Sequence, residues 1–120
     1  MRGLTILLAA ADAERLRTAL SLAAAQAALG GAAHVFCQNE AVALLRPPVA
    51  GERDAAHAAA GLPTLAALLG EALALGVTIT ACQSGLALTG TDARALDARI
   101  AFGGPIGVLQ ALGADRLVCL

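Results

Sequence analysis

Short runs of apolar, β-prone residues alternate along the chain with longer Ala/Leu segments whose apolar positions recur every three to four residues. That alternation is the pattern of strand-helix-strand units around a parallel sheet. Leu4 to Ala10 is apolar at nearly every position, as a strand covered on both faces should be. Asp12-Ala13-Glu14-Arg15 then reads as a helix start, with the Asp12 carboxylate placed to accept from the first free amides. Leu16, Leu20, Ala23 and Ala27 fall on one face of this helix, and Gly30-Gly31 ends it. Its second half, Leu22 to Ala28, has scarcely any polar face. A helix apolar nearly all round needs cover on more than one side, so self-association through this segment is expected.

Ala33 to Gln38 reads as a second strand, followed by a turn of helix at Ala41 to Leu45. The composition then shifts. Arg46 to Asp54, with Pro47-Pro48 and Gly51, is rigid and turn-rich and predicts an exposed excursion leading into a short helix over Arg53 to Ala60. Pro63 sits near the start of the next helix, which carries Leu62, Leu65, Leu69, Ala72 and Leu73 on one face and stops at Gly76. Val77 to Cys82 begins with four β-branched residues in succession and is the clearest strand of the chain. Gln83 to Gly90 follows as a short helix, and a further helix from Thr91-Asp92 carries Leu96 and Ile100. Phe102-Gly103-Gly104-Pro105 turns the chain into a helix ending at Gly113, and Arg116 to Leu120 closes the sheet. The expectation is one α/β domain over residues 1–120: three layers, with a mostly parallel sheet of four or five strands covered by helices.

Composition narrows the chemistry. With 120 residues and 58% hydrophobic side chains the chain suits one domain with ample core material. It has no lysine, tryptophan or tyrosine, so its eight basic residues are all arginine. Without lysine there is no Schiff base and no phosphate-loop lysine, which removes several enzyme classes. A net charge of −1, no basic cluster and two aromatics, Phe36 and Phe102, argue against nucleic acid as a partner. The uncharged stretch from Thr18 to Asn39 is broken by Gln26, Gly30-Gly31 and His34, so no membrane span is expected. Met1-Arg2-Gly3 and the apolar run after it resemble a weak signal peptide, but the run is short and leads directly into a helix start, which favours a buried strand.

Three cysteines, Cys37, Cys82 and Cys119, are an odd and widely spaced set, which indicates no disulfide framework and fits a reducing cytoplasm. Neither they nor His34 and His57 offer a metal-binding spacing, and no metal or organic cofactor is expected. Cys82 stands apart because it ends a strand where a helix begins. There the sulfur meets unpaired backbone N–H groups and the positive end of the helix dipole, and both favour thiolate. An ordinary cysteine is about 3% thiolate at pH 7; lowering its pKa by about two units makes it roughly three-quarters thiolate. The competing reading is a small buried hydrophobe.

Cys82-Gln83-Ser84-Gly85-Leu86-Ala87-Leu88-Thr89-Gly90, preceded by Gly76-Val77-Thr78-Ile79-Thr80-Ala81, resembles the strand, cysteine and helix of the DsrE/DsrF/TusD-like sulfur-relay proteins. The likeness extends to the first strand and helix, to Val35-Phe36 leading into Leu44-Leu45, and to Gly113-Ala114-Asp115-Arg116-Leu117-Val118. The resemblance implies a flavodoxin-like fold, homo- or hetero-oligomers, often trimers or hexamers, and a persulfide carried on Cys82, with sulfur donor and acceptor proteins as partners; a homo-oligomer is the expectation here. In a flavodoxin-like strand order the first strand separates the second from the third. Cys37, at the end of the second strand, would then lie about 9 to 10 Å of strand spacing from Cys82, too far for a disulfide unless the loops bend inward.

Several other residues take secondary roles in this reading. Asn39 and Glu40 are placed to line a pocket at the second strand's end, and Gln83, Ser84 and Gly85 open the helix after Cys82. The Ser84 hydroxyl suits helix capping. Cys119 reads as core packing, His57 as a surface residue or a proton partner folded over Cys82, and Gly103 to Gly107 as a turn and helix start. The function expected is a small cytoplasmic persulfide carrier or sulfurtransferase. Two alternatives stay open: a non-catalytic oligomeric binding or regulatory module of the same fold, and a thiol redox protein with Cys37 as resolving partner to Cys82.

Overall fold

The computed structural model describes every residue from Met1 to Leu120. Five strands, Leu4–Leu8 (β1), Ala33–Cys37 (β2), Thr78–Cys82 (β3), Ala101–Gly103 (β4) and Arg116–Cys119 (β5), form one sheet in the order β4-β3-β2-β1-β5, and every pairing is parallel. The helices are Ala13–Ala28 (α1), Asp54–Ala59 (α2), Leu65–Ala74 (α3), Gln83–Thr89 (α4) and Pro105–Leu112 (α5), with short 3-10 helices at Asn39–Leu45 and Ala93–Ala95. The expected α/β architecture with a parallel sheet flanked by helices is the one observed.

The strand order explains how the helices are distributed. From β1 to β4 the chain steps in one direction across the sheet, then it returns past β1 to place β5. Parallel crossovers are right-handed, so connections running in opposite directions lie on opposite faces. Accordingly α1 and α3 pack together on one face. There the alternate strand positions Leu4, Ile6, Leu8, Val35, Cys37, Ile79 and Ala81 meet Leu16 and Leu20 of α1 and Leu65 and Leu69 of α3, all buried. Burying one such leucine contributes about 1.5–3 kcal/mol. The opposite face carries Thr5, Phe36, Thr80 and Cys82, and α5 alone crosses it, burying only Val108 of its eight residues.

Capping follows the sequence at α1, where Asp12 Oδ1 accepts from the Glu14 and Arg15 amides, and at α3, where Thr64 Oγ1 accepts from the Ala67 amide. Pro105 begins α5 behind Gly104, where its missing N–H costs nothing.

Four expectations are corrected. β2, not β1, is the neighbour of β3, because the chain lays its first four strands down in sequence order. The segment read as a turn before α5 contributes a three-residue edge strand, Ala101–Gly103, too short to show a periodic signal. The helix expected from Thr91 is a single 3-10 turn at Ala93–Ala95, capped by the Asp92 carboxylate. Cys119 is exposed rather than packed in the core, since β5 is an edge strand whose outer face nothing covers.

The excursion from Arg46 is exposed at its prolines but is tied down further on. Asp54 accepts from the Gly51 amide at 3.0 Å, from the Leu65 amide at 3.0 Å and from Arg17 of α1 at 2.7 Å. His57 Nε2 meets the Glu14 carboxylate at 3.0 and 3.1 Å. One carboxylate therefore closes a turn, satisfies an amide at the start of α3 and anchors α2 on α1.

Candidate functional site

Cys82 is the last residue of β3 and the N-cap of α4, in an extended conformation with φ −66° and ψ 132°. No residue intervenes between strand and helix, so the free amides of the first helical turn stand beside the sulfur. The Ser84 hydroxyl lies 3.1 Å from Cys82 Sγ. The backbone amides of Asn39, Gly85 and Ser84 count among the groups that favour its charged form. Burial pushes the thiol pKa up, but the Ser84 hydroxyl and the three amides outweigh it, and Cys82 is held below the ordinary thiol value. Hydrogen bonds to the charged form are the reason.

The residues singled out from sequence are used in different ways. Asn39 stands in the left-handed region at φ 52°, at the start of the 3-10 helix that packs on α4, and its backbone lies against Gly85. Ser84 is a sulfur ligand rather than a capping residue, since no side chain caps α4 and its Oγ bonds Cys82. Gly85 is buried where α4 crosses the 3-10 helix Asn39–Leu45, and it adds one of the amides. Gln83 opens the helix with an exposed side chain. Glu40 is exposed as well.

Cys37 is adjacent to this site in strand order but not in orientation. It pairs with Ala81 across β2 and β3, so the two-residue period places Cys82 on the other side of the sheet. The strand-spacing argument for keeping the two sulfurs apart is thus replaced by one of facing. Cys37 is fully buried, and burial pushes its pKa up to about 12. Such a thiol carries almost no thiolate at neutral pH. His57 binds Glu14 and is not a partner of Cys82.

Sequence reasoning missed the pairing of His34 and Thr80. Thr80 shares the face of Cys82, two residues before it, and its Oγ1 lies 2.8 Å from His34 Nε2. The pair lines a recess of about 170 Å³ with Gly103, Gly104 and Gly107. Burial lowers the His34 pKa, with the charge of Asp115 opposing it, so the ring tends toward the neutral form. Alternation along β2 and β3 was the available signal, because His34 and Thr80 fall on one face once these strands are neighbours.

No three His, Cys, Asp or Glu side chains converge as metal ligands. The cluster can do thiol chemistry: the Ser84 hydroxyl beside the sulfur favours its charged form. Cys82 is only 1% exposed, so a reaction partner must displace part of its cover to reach the sulfur.

No protein-family model matches the sequence, and no curated protein matches it. Among solved structures the chain is similar to the ychN protein from E. coli, at 20% sequence identity with a TM-score of 0.74, covering 100% of both chains. At that identity the likeness shows a shared fold. No helix is long and apolar enough to cross a membrane.

Proposed function

We propose that the protein is a cytoplasmic persulfide carrier of the DsrE-like sulfur-relay kind, taking sulfur onto Cys82 from a donor protein and passing it to an acceptor thiol. The observation that carries this reading is the Ser84 hydroxyl 3.1 Å from Cys82 Sγ, where β3 passes directly into α4. A thiolate so held attacks the sulfane sulfur of a donor persulfide. The donor leaves as its own thiolate, and Cys82 becomes Cys82–S–SH. The exchange needs no metal or organic cofactor. The fold, shared with the ychN protein from E. coli, accommodates the reading.

The carrier works as a homo-oligomer, a trimer or hexamer. Support for this comes from α5 more than from the Ala-rich end of α1. Five of the eight α5 residues are hydrophobic, yet Ile106 is 75% and Leu109 63% exposed, and on β5 Leu117 is 44% exposed. Parallel sheets are ordinarily covered on both faces, and here the edge strand β5 is left open, with Leu117 and Cys119 exposed.

The test is intact mass after incubation with a low-molecular-weight persulfide donor. Wild-type protein is expected to gain one sulfur atom, removable by reductant, and Cys82→Ser to gain none. One observation favours the non-catalytic binding module instead: Cys82 is almost fully covered and lines none of the cavities. Absence of sulfur uptake, with a thiol that titrates as an ordinary one, would leave that module as the answer.

A further inference from the structure

Of the eight arginines, Arg15, Arg17, Arg53, Arg94 and Arg99 each have a carboxylate within ion-pairing distance, and Arg2, Arg46 and Arg116 have none. Arg46 rests on Thr89 O. The other two unpaired arginines, Arg2 and Arg116, line one recess of about 320 Å³ together with Met1, Gln26 and Leu29. It lies at the amino ends of β1 and β5, where Arg116 stands in register with Leu4. Cys82 is at the carboxyl end of β3, so the recess is separate from the thiol.

Both guanidiniums are held in place by neutral acceptors. Arg2 Nε donates to Ala114 O at 2.7 Å, and a terminal nitrogen of Arg116 donates to Gln26 Oε1 at 3.0 Å. Gln26 is only 6% exposed, and its Nε2 donates to Arg2 O at 2.8 Å, so one buried amide ties the two arginine residues together. Gly31 makes room for it, since a Cβ there would collide with Gln26 Nε2 and with Met1 Sδ. Each guanidinium keeps two nitrogens with no partner in the chain.

Two internal claims on this positive charge fall short. The carboxyl end of α1 brings only about half a negative charge, and its carbonyls at Ala25, Gln26 and Ala27 already accept from the Leu29, Gly31 and Gly30 amides. Asp115 precedes Arg116 in the chain, but its carboxylate lies over Gly3 and makes no ion pair. The chain offers the two arginines no negative partner.

We propose that the recess is an anion site that takes a doubly charged phosphate group, gripped by Arg2 and Arg116 and braced by Gln26. A phosphomonoester has a second pKa of about 6, so near neutral pH it carries close to two negative charges, one for each guanidinium. Guanidinium forks also match its oxygens in pairs. A carboxylate carries a single charge and leaves one arginine unanswered.

The test titrates the full chain at pH 7.5 and low ionic strength, where exposed charges are least screened. Phenyl phosphate, inorganic phosphate and benzoate are compared by calorimetry and by the amide resonances of Gly3, Gly31 and Arg116. Phenyl phosphate is expected to saturate one site below about 10 mM, and benzoate to bind about tenfold more weakly. Arg2→Gln and Arg116→Gln are each expected to weaken phenyl phosphate about tenfold, the scale of one hydrogen bond to a charged group. Arg46→Gln removes the third unpaired arginine at another place and is expected to change nothing. Tighter binding of phenyl phosphate than of inorganic phosphate assigns an organic monoester, with Met1 and Leu29 against its body, and equal binding assigns the free ion; both uphold the site. No saturation by about 10 mM, equal affinity for benzoate, or an Arg46→Gln loss as large as that of Arg2→Gln would overturn it. Arg116→Gln deprives the buried Gln26 Oε1 of its donor, so where that variant melts early, Arg2→Gln, altered at an exposed position, decides alone.

Discussion

Cys37 and Cys82 end neighbouring strands yet emerge on opposite faces of the sheet. Cys37 is in register with Ala81, and one further residue along β3 reverses the side-chain direction. Proximity along the sheet therefore gives no route from one sulfur to the other. Peroxide treatment is expected to produce no Cys37–Cys82 crosslink by peptide mapping, and Cys37→Ala is expected to keep sulfur uptake unchanged. Cys37 is fully buried in the core, so the same variant should lose about 1 kcal/mol of stability in urea unfolding. A Cys37–Cys82 disulfide formed without unfolding would restore the thiol redox reading.

Ser84 tests the electrostatics at the sulfur from the side-chain direction. Its hydroxyl is the largest of the influences that lower the Cys82 pKa, acting against burial, which raises it. Ser84→Ala is expected to move the alkylation midpoint upward by roughly one unit, the scale of a hydrogen bond to a charged group. The sign carries over to stability. The folded state favours the thiolate, so the stabilisation is complete above the unfolded thiol pKa and disappears as pH falls through the lowered folded value. Wild type should thus gain stability over Ser84→Ala at pH 9.5 relative to pH 6. Equal differences at the two pH values would show that the hydroxyl does not act on the charged sulfur.

Asp54 holds the excursion to the body of the fold. Amide hydrogen bonds from Gly51 and Leu65 lower its pKa, with Arg17 and His57 adding to them. Its folded pKa lies below the unfolded one, so the clamp is intact above about pH 4, the ordinary aspartate value, and fails as pH drops through the folded pKa. Asp54→Asn is expected to lower the melting temperature at pH 7 and to open the segment from Arg46 to Leu62 to limited proteolysis. At pH 2 the variant and wild type should melt together. Equal protease resistance at pH 7 would show that the other contacts of α2 hold the segment unaided.

The sequence disclosed the elements with strong local signals and missed relationships that depend on strand neighbours. The β-branched run ending in Cys82, the Asp12 cap, Pro105 at the start of α5 and the glycines after helices all speak through their own backbone chemistry, and each is found as read. Strand order has no local signature. Placing β1 between β2 and β3 led to a distance argument about Cys37, when facing is what separates it from Cys82. At the site, Cys82 was legible because a strand meets a helix there. The close meeting of the 3-10 helix Asn39–Leu45 with α4 at Gly85 was not, because it joins segments far apart in the chain and leaves no local pattern.

The Ala-rich end of α1 and the surface of α5 make competing predictions about assembly. On α1 the inward positions Leu16, Ala19, Leu20, Ala23 and Gln26 are buried within the chain itself, and much of what remains outside is small or polar: Ser21, Ala25 and Ala28. α5 leaves Ile106 and Leu109 outside, and Leu117 of the edge strand β5 is exposed as well. Leu22 and Leu29 on the α1 side are 45% and 72% exposed, so both surfaces offer large side chains, and α5 is set apart by an outer face that is almost wholly exposed, with only Val108 buried. A double substitution, Ile106→Asp with Leu109→Asp, is expected to reduce the wild-type oligomer to monomer in light scattering at micromolar concentration. Both positions are exposed in the single chain, so its secondary structure by circular dichroism should be kept. Leu22→Asp and Leu29→Asp on the α1 side should leave the oligomer whole. An oligomer that survives the α5 substitutions and dissociates with the α1 pair would move the interface back to α1, and a monomeric wild type would remove the oligomer from the proposal.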